Sequence, residues 1–251
     1  MKKPKSVLRR INDNAPLYRF EMLRRIGKFL VPKYRFKWPQ IQWWDNAVFN
    51  NYLLKFNEMA LPNADRRWML YQLLRLVGNV PGDTAECGVY EGAGSYIICT
   101  LNQKSKSFRR THYMFDSFEG LSRPLERDGR HWKAGDMSST LETVTTNLSE
   151  FSNISIHKGW IPDRFPDVEN HEFCFVHIDV DLYQPTLDSM KFFYPRMNPG
   201  GLIVCDDYGF TSCPGATEAC DKFLKDKNEK MIALSGGGGF LIKGLMTEEP
   251  L

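Results

Sequence analysis

The feature that most constrains this chain is an alternation. Short apolar runs of strand length recur from residue 83 onward, and most are separated by stretches with helical spacing. The runs "DTAECGVY" (83–90), "THYMFD" (111–116), "NISIHKG" (153–159), "EFCFVHIDVD" (172–181) and "GLIVCDD" (201–207) predict five strands. "MIAL" and "FLIK", on either side of the "SGGGG" loop, predict two more. Helices are expected over 65–77, with Asp65 as N-cap and Gly78 as stop, and over 95–101, 140–151, 184–197 (stopped by "NPGG") and 214–227. Strands alternating with helices imply a mainly parallel sheet covered on both faces. The nearly continuous apolar character of 172–181 fits a strand buried on both sides.

Ahead of this pattern lies a different texture. Residues 1–64 are basic and aromatic ("YRFKWPQIQWWDNAVF"), and Pro16, Pro32, Pro39 and Pro62 are expected to cut them into short helices and loops forming a cap, with the main domain running over 65–251. The net charge of +3 hides an asymmetry: residues 1–37 carry twelve Lys/Arg against Asp13 and Glu21, and the rest of the chain 21 basic against 28 acidic residues. Such an arm suits peripheral contact with an anionic surface, an interface, or a solvated helix face. It has no nucleic-acid motif, so no nucleic-acid partner is expected. No apolar run approaches the ~20 residues that span a bilayer, and the start has no signal-like stretch, so the expectation is cytoplasmic. Six cysteines make no CxxC pair and read as buried thiols, neither a disulfide frame nor a zinc site.

In an open α/β sheet, ligands bind beyond the carboxyl ends of the strands, near the point where strand order reverses. The predicted strands end in informative residues there. "ECGVYEGAGS" (86–95) spaces its glycines as G-x-x-x-G-x-G, which disfavours a nicotinamide or flavin cofactor but still allows close backbone approach at a helix start. Asp116 ends the next strand, where a carboxylate can accept hydrogen bonds from ribose hydroxyls. The two features suggest a nucleoside-bearing cofactor; a tight turn with a capping aspartate is the plainer alternative.

The fourth and fifth strands end in acid pairs, Asp179/Asp181 and Asp206/Asp207. Read as extended chain, Asp179 and Asp181 share a face. Four neighbouring carboxylates repel and raise one another's pKa values unless a cation or a proton neutralises them. Mg²⁺, bound by a few carboxylates with water and substrate oxygens, suits that inventory and leaves one acid over as a base. Turn formation and helix capping by the same aspartates are the alternative. His177 reads as a buried, hydrogen-bonded residue near the rim, and no esterase elbow or Walker loop is present.

On these residues the chain resembles the macrocin, mycinamicin and novobiocin type of sugar O-methyltransferases, dependent on S-adenosylmethionine and Mg²⁺. "ECGVYEG" is similar to that family's cofactor loop, "FDSFEGL" (115–121) to its ribose-binding strand end, and "HIDVDLYQPTLDSMKFFYPRMNPGGLIVCDDYG" (177–209) to its metal and base segment. The resemblance implies a class I methyltransferase fold, Rossmann-like and doubly wound, with a mostly parallel seven-stranded sheet and an N-terminal helical cap that helps cover the substrate. It implies Asp179, Asp206 and Asp207 as metal ligands, Asp181 as general base and Asp116 as ribose ligand. The expected cofactor site takes in Glu86, Gly88, Tyr90, Glu91, Ser95, Asp116, Ser117, Phe118, Ser138, Gly159 and Trp160. Glu91 stands where the family commonly has Arg, Tyr90 where it has Trp, and 212–223 lacks a basic residue often found there. These departures bear on the acceptor more than on the reaction.

The expected activity is methyl transfer to a hydroxyl of a sugar moiety, in a glycosylated natural product or a surface-polysaccharide precursor. A phenol or catechol acceptor and a non-catalytic cofactor-binding module are the alternatives. A homo-oligomer is expected, with "WPQIQWW" (38–44) as a candidate exchanged lid.

Overall fold

The computed structural model describes residues 15–30, 41–59 and 62–248. The chain divides into two compact units, Met1–Leu54 and Lys55–Leu251, a division earlier in sequence than the expected boundary after residue 64. Most of the basic arm, 1–14 and 31–40, and with it the first half of the candidate lid, lie outside the described residues.

In the first unit, helix α1 spans Ala15–Leu30. Pro16 does not cut it, because a proline in the first turn lacks only an N–H that has no intrahelical partner anyway. A tight turn at Gln42–Asp45 leads to α2, Ala47–Lys55. Asn46 caps α2, its Oδ1 accepting from Phe49 N at 2.9 Å, and Trp43 packs edge-on against Phe49.

The second unit holds α3 (Ala64–Leu74), β1 (Asp83–Cys87), α4 (Ala93–Lys104), β2 (His112–Asp116), α5 (Leu141–Asn147), β3 (Ile154–Lys158), β4 (Phe173–Ile178), α6 (Tyr183–Phe193), β5 (Met197–Cys205), α7 (Pro214–Leu224), β6 (Ile232–Ala233) and β7 (Gly239–Ile242). Its strands form one seven-stranded sheet in the order β3-β2-β1-β4-β5-β7-β6. The first five run parallel, and β7 lies antiparallel to both β5 and β6. Strand order reverses between β1 and β4, so the crevice at their carboxyl ends is the natural ligand position.

The alternation of side chains builds a core on each face. In β2, Tyr113 and Phe115 join Phe165, Phe173 and Phe193 on one side, while Met114 joins Val144, Leu148 and Phe151 on the other. All six residues of β4 are buried, as expected of the strand at the centre. Each fully buried Phe contributes about 2 kcal/mol relative to exposure.

Several element ends differ from expectation for local reasons. Asp65 lies in the first turn of α3 and does not cap it; Asn63 instead takes a hydrogen bond from Arg66 at 2.9 Å. Helix α6 stops at Phe193 rather than 197, because Pro195 has no N–H to continue the α ladder and the chain tightens into a single turn over Tyr194–Arg196. "NPGG" is not a helix stop but part of β5. There the register with β4 slips, Phe173 facing Met197 and Phe175 facing Leu202, as suits a proline without an N–H and Gly200 at φ +83°. Thr140 does cap α5, accepting from Thr143 N at 3.0 Å, but the helix ends at Asn147.

Candidate active site

The glycine loop leaves β1 at Gly88, whose φ is +80° and whose Cβ, if it had one, would lie 1.8 Å from the carbonyl oxygen of Asp179. Only glycine lets the two strand ends leave the sheet this close together. The loop is then pinned by Asp116. Its Oδ2 accepts from Val89 N at 2.7 Å and Tyr90 N at 3.0 Å, and its Oδ1 from Phe118 N at 2.7 Å. Gly159 N donates to its carbonyl at 2.9 Å. Tyr90 and Phe118 have φ of 51° and 58°, left-handed conformations that cost of order 1–3 kcal/mol each and persist only where the surroundings enforce them. Asp116 supplies that enforcement, so the carboxylate expected to face a ribose also braces the loop around it.

Past β4 the chain does not continue extended. Asp181 has φ +60°, which corrects the expectation that Asp179 and Asp181 share a face as alternate residues of a strand. The turn is held instead by Asp207, whose Oδ2 accepts from Val180 N at 3.1 Å and Asp181 N at 2.7 Å. The four acids fall into two groups among the described residues: His177, Asp179 and Asp206, and then Asp181, Asp207 and Cys213, each group offering ligand atoms within 4.8 Å of one another.

Electrostatics separates them too. Burial, then the charge of Asp206, raises the pKa of Asp179; burial raises Asp181; burial and then Asp181, Asp179 and Asp206 raise Asp207. Asp206 goes the other way. Burial opposes its ionisation, but the Arg66 guanidinium and then His177 overcome it.

Arg66 ion-pairs with Asp206 and lies over the Phe210 ring. Arg67, buried, pairs with Glu58 at 3.1 Å and lies 3.7 Å from Asp179. The carboxylates outnumber these guanidiniums, and three of the four resist ionisation. That donor set, all oxygen and crowded, fits a hard divalent cation, with Asp179 and Asp206 sharing one grouping and Asp207 electrostatically coupled to both.

Beneath the rim runs a buried polar chain. His177 Nδ1 is 2.7 Å from Glu86 Oε1 and its Nε2 is 3.6 Å from Asp206 Oδ1; Nε2 has no hydrogen-bond partner. Burial lowers the imidazole pKa, but Asp206 and Glu86 outweigh it and raise the value to about 10. Glu86 also accepts from Ser95. Ser95 meets His112 Nε2 at 3.1 Å, and His112 Nδ1 meets Thr84 at 3.0 Å. Gly94 is obligatory above this chain, since a Cβ there would sit 2.1 Å from Glu86 Oε1.

One cleft joins these parts. Of the residues singled out by sequence, Glu86, Gly88, Tyr90, Asp116, Ser117, Trp160, Asp179 and Asp181 line it. Asp206 and Asp207 are buried at its acidic end. Ser95 is buried beneath Glu86, and Phe118 is buried in the core that holds the loop. Glu91 contributes its carbonyl, which accepts from Asn147 at 2.8 Å. Ser138 is exposed between Met137, which lines the cleft, and Ser139, which donates to Tyr90 O.

Sequence reasoning missed Arg66, Arg67, Met137, Asp128 and Cys213. Arg67 was findable, since it shares the buried face of α3 with Leu70 and Leu74, where a charge demands a partner. Asp128 is 55 positions from the Tyr183 N–H that it binds at 2.7 Å, and no local signal announces that. The six cysteines are all buried and unpaired by disulfides, as expected. Cys213, pushed up to about 12 chiefly by burial, donates to Asp181 Oδ1 at 3.5 Å.

The reversed strand order, the antiparallel β7 and a cleft at the carboxyl ends of β1, β2 and β4 define a class I methyltransferase fold. Solved structures agree: the calicheamicin methyltransferase CalS11 superposes with a TM-score of 0.66 over 90% of this chain and 92% of that one at 19% identity. The O-methyltransferase NovP gives a TM-score of 0.61 over 72% and 80% at 24% identity. More particularly, the macrocin-O-methyltransferase (TylF) family profile matches residues 70–234, and the chain belongs to that family.

Among curated relatives, a tetracenomycin-type 4'-O-methyltransferase of Streptomyces olivaceus that acts on a dimethoxyrhamnosyl compound is 30% identical over 152 residues, covering 56% of this chain and 58% of that protein. Mycinamicin III 3''-O-methyltransferase of Micromonospora griseorubida is 30% identical over 148 residues, covering 53% and 58%. The chain spans less than two thirds of the length of each.

Proposed function

We propose that this protein is an S-adenosylmethionine- and Mg²⁺-dependent O-methyltransferase acting on a sugar hydroxyl of a glycosylated acceptor. The observation that carries the reading is the juxtaposition, in one cleft of a chain from this family, of the Asp116-braced glycine loop and the four-carboxylate rim. Curated relatives named for methylation of glycosylated compounds support the acceptor class.

Bound S-adenosylmethionine would supply an electrophilic methyl group, and Mg²⁺ held by Asp179, Asp206 and Asp207 would orient and acidify the acceptor hydroxyl. The chain's own residues do the rest. Gly88 and Gly94 keep the loop low, so that a ligand approaches the backbone. Asp116 and Glu86 line the cleft with carboxylates, while Tyr90, Met137 and Trp160 give it apolar walls. Asp181, fixed by the Asp207 carboxylate through its own N–H and made a stronger base by burial, which raises its pKa, would take the proton of the acceptor hydroxyl. Alignment of hydroxyl and methyl in one cleft contributes the larger part of the acceleration.

Incubation with labelled S-adenosylmethionine, Mg²⁺ and a panel of glycosylated and phenolic acceptors tests this. Label is expected in glycosides. Transfer to phenols alone would overturn the sugar reading, and cofactor binding with no transfer to any acceptor would favour a binding module.

A further inference from the structure

Helix α1 carries an apolar stripe along one side. At 100° per residue, Tyr18, Met22, Leu23, Ile26, Phe29 and Leu30 fall within an arc of roughly 140°. They are exposed, Phe29 at 85% and Leu30 at 70%. Arg24, Arg25 and Lys28 lie outside that arc with Glu21, which is paired to Arg24 at 2.8 Å, and with the half-buried Phe20. Arg19 alone interrupts the apolar arc, and its long aliphatic stem lets its charge reach the edge. A six-residue apolar stripe of this size in water is costly, whereas singly scattered exposed residues would need no comment.

The charge says what covers it. Helix α1 carries four basic residues, Arg19, Arg24, Arg25 and Lys28, against one acid, Glu21; the flanking sequence adds Lys2, Lys3, Lys5, Arg9 and Arg10 before it and Lys33, Arg35 and Lys37 after it, with Asp13 the only further acid within residues 1–37. A second protein copy would bring the same excess of positive charge against itself. An anionic bilayer surface would not: the apolar arc enters the boundary between headgroups and acyl chains while the basic face meets the phosphates. No helix among the described residues is long and apolar enough to cross a membrane, so the association is peripheral.

We propose that α1 is a membrane-surface anchor, lying in the plane of an anionic lipid bilayer and tethering the α/β unit that follows it in the chain. The proposal is independent of the methyl-transfer reading. The acceptors within reach would then include glycans carried on lipids.

Flotation of the full chain with phosphatidylcholine vesicles containing about 30% phosphatidylglycerol, against pure phosphatidylcholine, tests it. The protein is expected to float with the anionic vesicles and to remain below with the neutral ones. Ile26→Asp/Phe29→Asp should cut the floated fraction at least tenfold with the circular dichroism of the fold unchanged, since both residues are exposed. Arg25→Glu should weaken binding about fivefold or more, because a cation that meets the lipid phosphates is replaced by an anion that they repel. Absence of flotation on anionic vesicles, or undiminished flotation of the double variant, would overturn the proposal. So would a fall in oligomer mass by light scattering in that variant, because it would make the stripe a subunit interface.

Discussion

The two halves of the cleft solve the same problem differently. On the β1/β2 side, one carboxylate, Asp116, is satisfied by three backbone N–H groups and one loop is locked. On the β4/β5 side, four carboxylates share two guanidiniums and one buried imidazole, and three of them are pushed toward the neutral form. A backbone cradle is rigid and indifferent to small changes of charge; a crowd of acids is poised to take up a cation or a proton. The contrast teaches which side is built to hold and which to react.

Breaking the reactive side should have the largest effect. Asp181→Asn is expected to lower turnover by about 10²–10⁴-fold while calorimetric binding of S-adenosylmethionine stays unchanged; near wild-type turnover would remove Asp181 as the base. Chelation with EDTA should come next, a loss of at least tenfold that Mg²⁺ restores, read in the same labelled-methyl assay. On the holding side, Asp116→Ala takes the carboxylate away from the Val89, Tyr90 and Phe118 N–H groups and unpins the loop. Cofactor affinity should fall by about 10–100-fold with kcat at saturation far less affected, and a kcat collapse at unchanged affinity would reverse the roles of the two halves.

The smallest effect sharpens the comparison through His112, below the holding side. Burial depresses its pKa to about 4 from an ordinary 6.5. Its contribution to stability is therefore present in full above pH 6.5 and is lost as pH falls toward 4, at up to about 1.4 kcal/mol per pH unit. Urea unfolding at pH 7.5, 6, 5 and 4 should show His112→Asn with a shallower acid loss than wild type; parallel curves would remove His112 from the account.

The strand candidates, the rim and the acid pairs were legible because they are local. Apolar runs, glycine spacing and an acid after a strand are written in consecutive residues, and β1, β2, β3 and the hairpin of β6 and β7 lie where the pattern puts them. Element ends were less legible where one residue overrides the pattern, as Pro195 does to α6. The grouping of the acids was not legible at all. Reading Asp179 and Asp181 as extended chain gave them a shared face, whereas the positive φ of Asp181 and the N–H bonds to Asp207 place them in different groups.

By itself the sequence determined the alternation that makes a parallel sheet, the strand-end positions of Glu86, Asp116, Asp179 and Asp206, and the basic, aromatic texture of the residues ahead of them. Only tertiary structure decided that Arg66 and Arg67 answer the acids, that His177 ties Glu86 to Asp206, and that Asp207 shapes the turn carrying Asp181. The physical reason is distance along the chain. Arg66 and Asp206 are separated by 140 positions and His177 and Glu86 by 91, and a charge reveals its partner only when folding has brought the two together out of water.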